Sequence, residues 1–416
     1  MARKRRQNPY HAMQINSPFN AKKGKGWKIA LIVAGVLLLC GGAVAAVLFG
    51  WIPIPGVTPL FSQQQAQPEE TVPNTVIHFV AGGDLNVTDS SVAAGKTETG
   101  YDYSKVFLDV MPILSGADLT ALNFEGNLCG EPYGTQYASA PQQMVQALRN
   151  AGVDLLQTAN SRTITGGLLG MDATLNAIRS VGVEPVGSYA SAEEFKKSGG
   201  YVIREIQGIR IAVVAFTKGM DGRGLPLGSE DCVNLLYEDY SSTYQKVDTQ
   251  RITKVLRAAQ KQKPDVTIAL LHWGSEFNDQ ISKTQNEICT LMQAEGVDAI
   301  IGTHPHYVQK MTFDAESGKF VAYSLGDFFG DGEKSGTEYS VLLDLEITKN
   351  EQTGQTKISG FTYTPIYIAA EESGTRVLRI REAMTAFENN SLGSVSQESY
   401  DGMKAALPRI EKRIHG

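Results

Sequence analysis

Cysteine is scarce in this chain, and its placement excludes two chemistries. Cys40, Cys129, Cys232 and Cys289 are scattered through 416 residues with no CxxC pair. Neither a thiolate zinc site nor a disulfide framework therefore organises the fold, although one bridge stays open. Positive charge is not in excess either. The 38 Lys and Arg stand against 44 Asp and Glu, for a net charge of -6, and the densest basic run lies near the N-terminus. Nucleic acid needs a basic surface to neutralise its phosphates, so that partner class is set aside. A third gap is local: no Lys or Arg occurs from residue 29 to residue 74.

The first part of that gap is the uncharged run IALIVAGVLLLCGGAVAAVLFG, residues 29–50. As a helix it matches the roughly 20 residues needed to cross a hydrocarbon core. Arg3, Lys4, Arg5, Arg6, Lys22, Lys23, Lys25 and Lys28 precede it. The positive-inside rule then makes residues 1–28 a cytoplasmic tail, residues 29–50 a single-pass anchor and the rest extracellular. The run exceeds the apolar core of about 7 to 15 residues typical of a signal peptide, and no small-x-small cleavage site follows. Residues 51–74 are rich in Pro and Gln and read as an extended linker. A folded domain is expected over 75–385, followed by a tail over 386–416 with helical potential.

Within the domain, short β-rich runs alternate with helical stretches. TVIHFVAGGD, ADLTALNFEG, GVDLLQTANS and VTIALLHWG read as strands, with helices over 167–181, 243–262 and 282–295. YVIREI and IRIAVVAFT form a hairpin turning at Gln207-Gly208, VQKMTFD pairs with FVAYSLGDF, and alternating strands follow. Buried parallel strands first and antiparallel strands later indicate an α/β fold with a mixed sheet or two stacked sheets.

The polar groups sit where these strands run out. Asp84 follows IHFVAGG, Asn123 and Glu125 follow LTAL, Asn160 follows DLLQTA, His272 follows TIALL, and His304 and His306 follow AIIGT. Ligands of open α/β sheets bind outside the carboxyl ends of the strands, which collects these groups at one edge. Imidazoles mixed with carboxylates and amides suit Mn, Fe or Zn better than an all-oxygen Ca or Mg cage. Pro305 is expected to hold His304 extended, letting both imidazoles reach one cluster. Taken singly each residue has a plainer role: a turn Asp, a capping Asn, a core His. His78 within its strand, His11 and His415 read as structural or exposed.

In order and spacing, GGDLNV, LNFEG, TANSRTITGGLLGMDATLNAI, LLHWGSE, IIGTHPHYVQ and AYSLGDFF resemble the capsule A type poly-γ-glutamate biosynthesis family, relatives of the calcineurin-like metallophosphatases. The resemblance covers about 76–329. It implies a four-layer α/β/β/α metallophosphatase-like sandwich behind the anchor, with two divalent metal ions held by Asp84, Glu125, Asn160, His272, His304 and His306. Asn123, Arg162, Glu276 and Asp327 would face the substrate, and His272 and Arg162 are the candidate catalytic groups.

Two departures bear on turnover. Where the family carries Asn-Asn-His, this chain has Asn160-Ser161-Arg162, so the expected acid is absent. Arg162 cannot readily release a proton, but it could clamp a phosphate or carboxylate bidentately. Asp327 replaces a usual Asn and adds a carboxylate. Three functions fit. One is an anchored protein of capsule or poly-γ-glutamate biosynthesis or export, acting on an anionic polymer beside capsule-synthesis membrane subunits. The others are an extracytoplasmic metallophosphoesterase on phosphorylated envelope substrates, and a metal-containing anion-binding module without turnover. Protease added to intact cells is expected to remove everything after Trp51 and leave a membrane-embedded stub. Recovery of the full chain as a soluble cytoplasmic protein would refute that topology.

Overall fold

The computed structural model describes residues 34–35, 37–43, 46, 55, 73–391 and 393–416. Most of the expected anchor and linker lies outside them. Among the described residues no helix is long and apolar enough to cross a membrane. The chain divides into Met1–Thr71 and Val72–Gly416, and all that follows concerns the second unit.

That unit opens with β1 (Thr75–Asn86), α1 (Asp89–Ala93), α2 (Met111–Leu114), β2 (Leu119–Glu125), α3 (Gln142–Ala151), β3 (Leu155–Gln157), α4 (Gly167–Ser180) and β4 (Glu184–Val186). Its middle holds α5 (Ala192–Ser198), β5 (Tyr201–Ile206), β6 (Ile209–Thr217), α6 (Thr249–Gln260), β7 (Val266–His272), α7 (Lys283–Ala294) and β8 (Ala299–Thr303). It ends with β9 (Met311–Asp314), β10 (Lys319–Ala322), β11 (Asp327–Phe329), β12 (Tyr339–Lys349), β13 (Thr356–Glu371), β14 (Gly374–Arg379), α8 (Ile380–Glu388) and α9 (Gln397–His415).

Two mixed sheets result. One runs β14-β13-β12-β1-β2-β3-β4 with β11 beside β1, and the other runs β5-β6-β7-β8-β10-β9. β2, β7 and β8 are buried at every residue, as expected of parallel strands covered on both faces. Phe79 and Ala81 from the first sheet share a cluster with Ile211, Ile268 and Ile301 from the second. Val145 and Leu148 of α3 cover the outer face of the first sheet, while Val255 of α6 and Ile288 of α7 cover that of the second. The layering is helix, sheet, sheet, helix.

Local chemistry sets the boundaries. At the β5–β6 turn Gln207 and Gly208 take φ of 49° and 76°, the paired left-handed conformation that suits a tight hairpin. Ser282 and Gln285 form a reciprocal capping box at the start of α7. The helix expected from residue 243 begins only at Thr249: the Asp239 carboxylate accepts from the Gln245 and Lys246 N–H groups, and Asp248 caps the helix. Within this unit Cys129, Cys232 and Cys289 are unpaired. His78 Nδ1 lies 3.0 Å from Asp344 on neighbouring β12, a structural pairing.

FVAYSLGDF, read as one strand, is two. β10 pairs with β8 in the second sheet, then the chain turns at Gly326, φ 83°, and β11 joins β1 in the first. Glycine suits that position because of its positive φ and because a Cβ there would lie 2.9 Å from Ser340 Cβ, and its carbonyl accepts the Asp84 N–H at 3.0 Å. A Cβ on facing Gly83 would lie 1.7 Å from that oxygen. The switch places Asp327 directly beside Asp84 in the register.

The segment set apart as a tail is built into the core. Met403, Ala406, Ile410 and Ile414 form the buried stripe of α9 and join the cluster between the sheets. Ile410→Ala is expected to destabilise the domain by about 2–5 kcal/mol, the range for truncating a core aliphatic side chain. Urea unfolding measures it, and a loss under about 1 kcal/mol would mean the helix does not seal the cluster.

Candidate metal centre

The parallel strands of both sheets end at one edge, where their last side chains meet. Three overlapping sets each offer ligand atoms within 4.8 Å of one another: Glu125, His272 and His304; Asp84, Glu125 and His306; Glu276, His304 and His306. The His272 and His304 rings lie 4.5 Å apart between centroids, and those of His304 and His306 lie 6.2 Å apart. Apart from Glu276, which is exposed, all of these side chains are buried.

The His304-Pro305-His306 turn departs from the extended geometry expected of it. His304 has φ 92° and His306 φ 58°, although a residue preceding proline ordinarily takes extended backbone. Such conformations cost about 1–3 kcal/mol each and survive only where the surroundings enforce them. Asp84 Oδ2 provides one restraint by accepting the His304 N–H at 2.8 Å. Both imidazoles are thereby kept at the centre.

The donor set fits a divalent transition metal, since it mixes imidazole nitrogen with carboxylate oxygen. Two of its atoms, Glu125 Oε2 and His304 Nδ1, are buried with no hydrogen-bond partner. Such orphans are costly unless a ligand meets them. Charge points the same way. Burial works against ionisation of Glu125, but His272 holds it down to about 2. Burial likewise opposes protonation of His272, yet Glu125 and Asp84 raise it to about 9. His306 is held well above the ordinary histidine range by Asp327 despite burial, whereas burial and the charge on His272 drive His304 well below it. The carboxylates of the site thus favour positive charge among its imidazoles, a demand that a bound cation would meet.

With this site assembled, comparison with known proteins is informative. The sequence profile described as "Bacterial capsule synthesis protein PGA_cap" matches residues 78–331. The chain belongs to this family. Capsule biosynthesis protein CapA of Bacillus anthracis is 27% identical over 60% of the chain and 59% of its own length. PGA biosynthesis protein CapA of Bacillus subtilis (strain 168) is 27% identical over 63% of the chain and 65% of its own. The chain thus spans less than two thirds of either relative. Among solved structures, a novel phosphatase from Mycoplasma pneumoniae aligns at TM-score 0.43 and 15% identity over 71% of this chain and 95% of that one. A calcineurin-like phosphoesterase from Bacillus subtilis aligns at TM-score 0.40 and 16% identity, over 82% and 98%.

In this PGA_cap chain several expected site residues stand one step behind the centre. Asn123 Nδ2 donates to Asp84 Oδ1 and lies 3.3 Å from His272 Nδ1, so it bonds to two of the candidate ligands. Asp327 is also buried, 2.7 Å from His306 Nδ1. That contact orients the ring, the usual duty of an outer carboxylate. Burial lifts Asp327 to about 7 against the opposing pull of His306. Asn160 donates to Asn123 Oδ1 at 3.1 Å and to the Phe124 carbonyl at 2.7 Å, while its Oδ1 accepts the Arg162 N–H at 2.9 Å. Only a remaining lone pair on that oxygen is free to ligate.

Arg162 differs most from expectation. Its Nη1 donates to Asp221 Oδ2 at 2.8 Å, and the guanidinium is not on the wall of the adjoining cavity. That cavity, about 270 Å³, is lined by Ser161, Lys218, Asp221, Tyr244, Glu276 and His304 among others. Its cation is Lys218, whose Nζ donates to the Gly274 carbonyl at 2.7 Å and sits 4.5 Å above the Tyr244 ring. Burial lowers its pKa, with Glu276 and Asp221 opposing. Lys218 follows the end of β6, so the strand-end rule that found the histidines would also have found it. Asn86, the last residue of β1, was open to the same rule, and its Nδ2 lies 3.3 Å from His306 Nδ1; Ser161 Oγ, 3.0 Å from His272 Nε2, was missed for lack of any local signal.

The purified protein is expected to carry a transition metal, and His304→Ala with His306→Ala to lower its content at least about tenfold by elemental analysis. Added Mn²⁺ or Zn²⁺ should raise the Tm of the parent and leave that of the double variant unmoved. Equal metal content in the two would defeat the ligand assignment.

Proposed function

We propose that this chain is a membrane-anchored, extracytoplasmic PGA_cap protein that processes an anionic capsule polymer, poly-γ-glutamate, during its synthesis or export. Asp84, Glu125, His272, His304 and His306 would hold divalent ions of the Mn, Fe or Zn class, with Glu276 at the rim and Asn160 supporting. The observation that carries the reading is the buried set of three imidazoles and two carboxylates with two orphaned atoms, in a chain of a capsule synthesis family.

A divalent ion in such a site supplies Lewis acidity and lowers the pKa of a water. The chain's own residues do the rest. Asn123 and Asp327 hold the His272 and His306 rings in place. Lys218 meets the carboxylate or phosphate of a substrate in the cavity beside His304. Because burial lowers its pKa, Lys218 is also the proton-bearing group best able to serve a leaving group, a task closed to the Arg162 guanidinium. Arginine at position 162 favours a second reading, a metal-containing anion-binding module without turnover, because it leaves no imidazole acid there.

Full-length protein in detergent, supplied with Mn²⁺ or Zn²⁺, separates these functions. Processing predicts cleavage of a γ-linked glutamate oligomer, a phosphoesterase predicts cleavage of a phosphodiester instead, and binding without cleavage leaves the module. In the processing case Lys218→Gln lowers kcat/KM by about 10²-fold, and Arg162→Gln by under about threefold. The reverse order would return the anion-binding role to Arg162.

A further inference from the structure

A second cavity, about 710 Å³, opens between α9 and the segment after His306. Its wall carries Lys310, Arg409, Lys412 and Arg413, opposed by Asp279 as the acidic side chain and by whatever charge Gly416 bears. Arg409 and Arg413 stand apart from their kind: every other arginine among the described residues has a carboxylate within 4.0 Å. Glu411 on the same helix does not neutralise them, since its carboxylate pairs with Arg381 and accepts the Tyr363 hydroxyl. Cations left unpaired at a concave surface are arranged for an anion.

Two orphaned atoms refine the chemistry. Arg413 Nη1 is buried with no acceptor, although its guanidinium is fixed 4.5 Å from the Tyr307 ring centroid. Gln309 Oε1, on the same wall, is buried with no donor, its amide held by Nε2 donating to the Asn278 carbonyl at 2.8 Å. A ligand that satisfied both would bring an oxyanion and an N–H together. Inorganic phosphate lacks that N–H; a polyamide bearing carboxylates has both. The cavity is coupled to the metal centre through aromatic rings: Phe277 stacks on His306 at 5.2 Å and meets Tyr307 edge-on at 6.1 Å.

We propose that this cavity is a docking subsite for a carboxylate-bearing polyamide, with Arg409 and Arg413 taking side carboxylates and Gln309 Oε1 accepting a backbone N–H, so that the chain is held beside the metal centre. Its identification as poly-γ-glutamate rests on the function proposed above, but the site itself does not require turnover.

The test is fluorescence anisotropy with a labelled γ-linked glutamate decamer and full-length protein in detergent, using α-linked glutamate and polyphosphate as competitors. Arg409→Gln with Arg413→Gln is expected to weaken decamer binding at least tenfold and flatten its salt dependence, with metal content unchanged. Because Arg413 also packs on Tyr307, the exposed pair Arg409→Gln with Lys412→Gln provides a variant that keeps that contact and should still lose at least threefold. Unchanged affinity in the folded variants overturns the subsite. Competition by polyphosphate as strong as that by the unlabelled decamer overturns the carboxylate-polyamide assignment. Retained decamer binding by the His304→Ala, His306→Ala protein supports the subsite even where no cleavage is found, so failure of the processing function and failure of this site are told apart.

Discussion

The structure depends on one buried contact, the hydrogen bond from the His304 backbone N–H to Asp84 Oδ2. Asp84 belongs to the first sheet and His304 follows a strand of the second, so this bond ties the two layers at the edge where the site is built. It also restrains His304 in a left-handed conformation that the following proline makes still less favourable. The contact that joins the two sheets at this edge therefore also holds the turn that carries both imidazoles.

The site is organised in depth. Glu125, His272 and His304 meet at the centre, while Asn123, Asn160 and Asp327 form a hydrogen-bonded backing. Buried polar networks of this kind are stabilising only when every member is satisfied. Here the unsatisfied atoms lie on the ligand side, at Glu125 and His304, and the backing amides are all bonded. The unmet demand of this network lies where an ion would sit, so a bound ion would add to the stability of the fold as well as to its chemistry.

Charge is distributed around that centre with equal purpose. Arg162, the cation nearest in sequence, is neutralised by Asp221. Lys218 reaches the first cavity, and Arg409 and Arg413 the second. Among the described residues, the two arginines without a carboxylate partner line the cavity next to the segment that follows His306. Local charge at that edge therefore differs from the overall charge of the chain.

Much of this was legible from sequence because it is local. Continuous apolar runs marked β7 and β8, and the polar residue ending each run marked His272 and His304, since a strand's direction fixes which end its last residue occupies. The helix expected over 282–295 begins where Ser282 and Gln285 form their capping box. What no local pattern carries is partnership. Asp327 came to lie beside Asp84 because FVAYSLGDF leaves one sheet for the other at Gly326, and Arg162 was taken up by Asp221, 59 residues on. The stripe of α9 signalled an apolar face, yet only packing between the sheets decided that Ile410 would join the core and turn Arg409 and Arg413 toward the histidine turn. Periodicity determines which way a side chain faces within its own element; the group it meets there is chosen by the packing of elements distant in the chain.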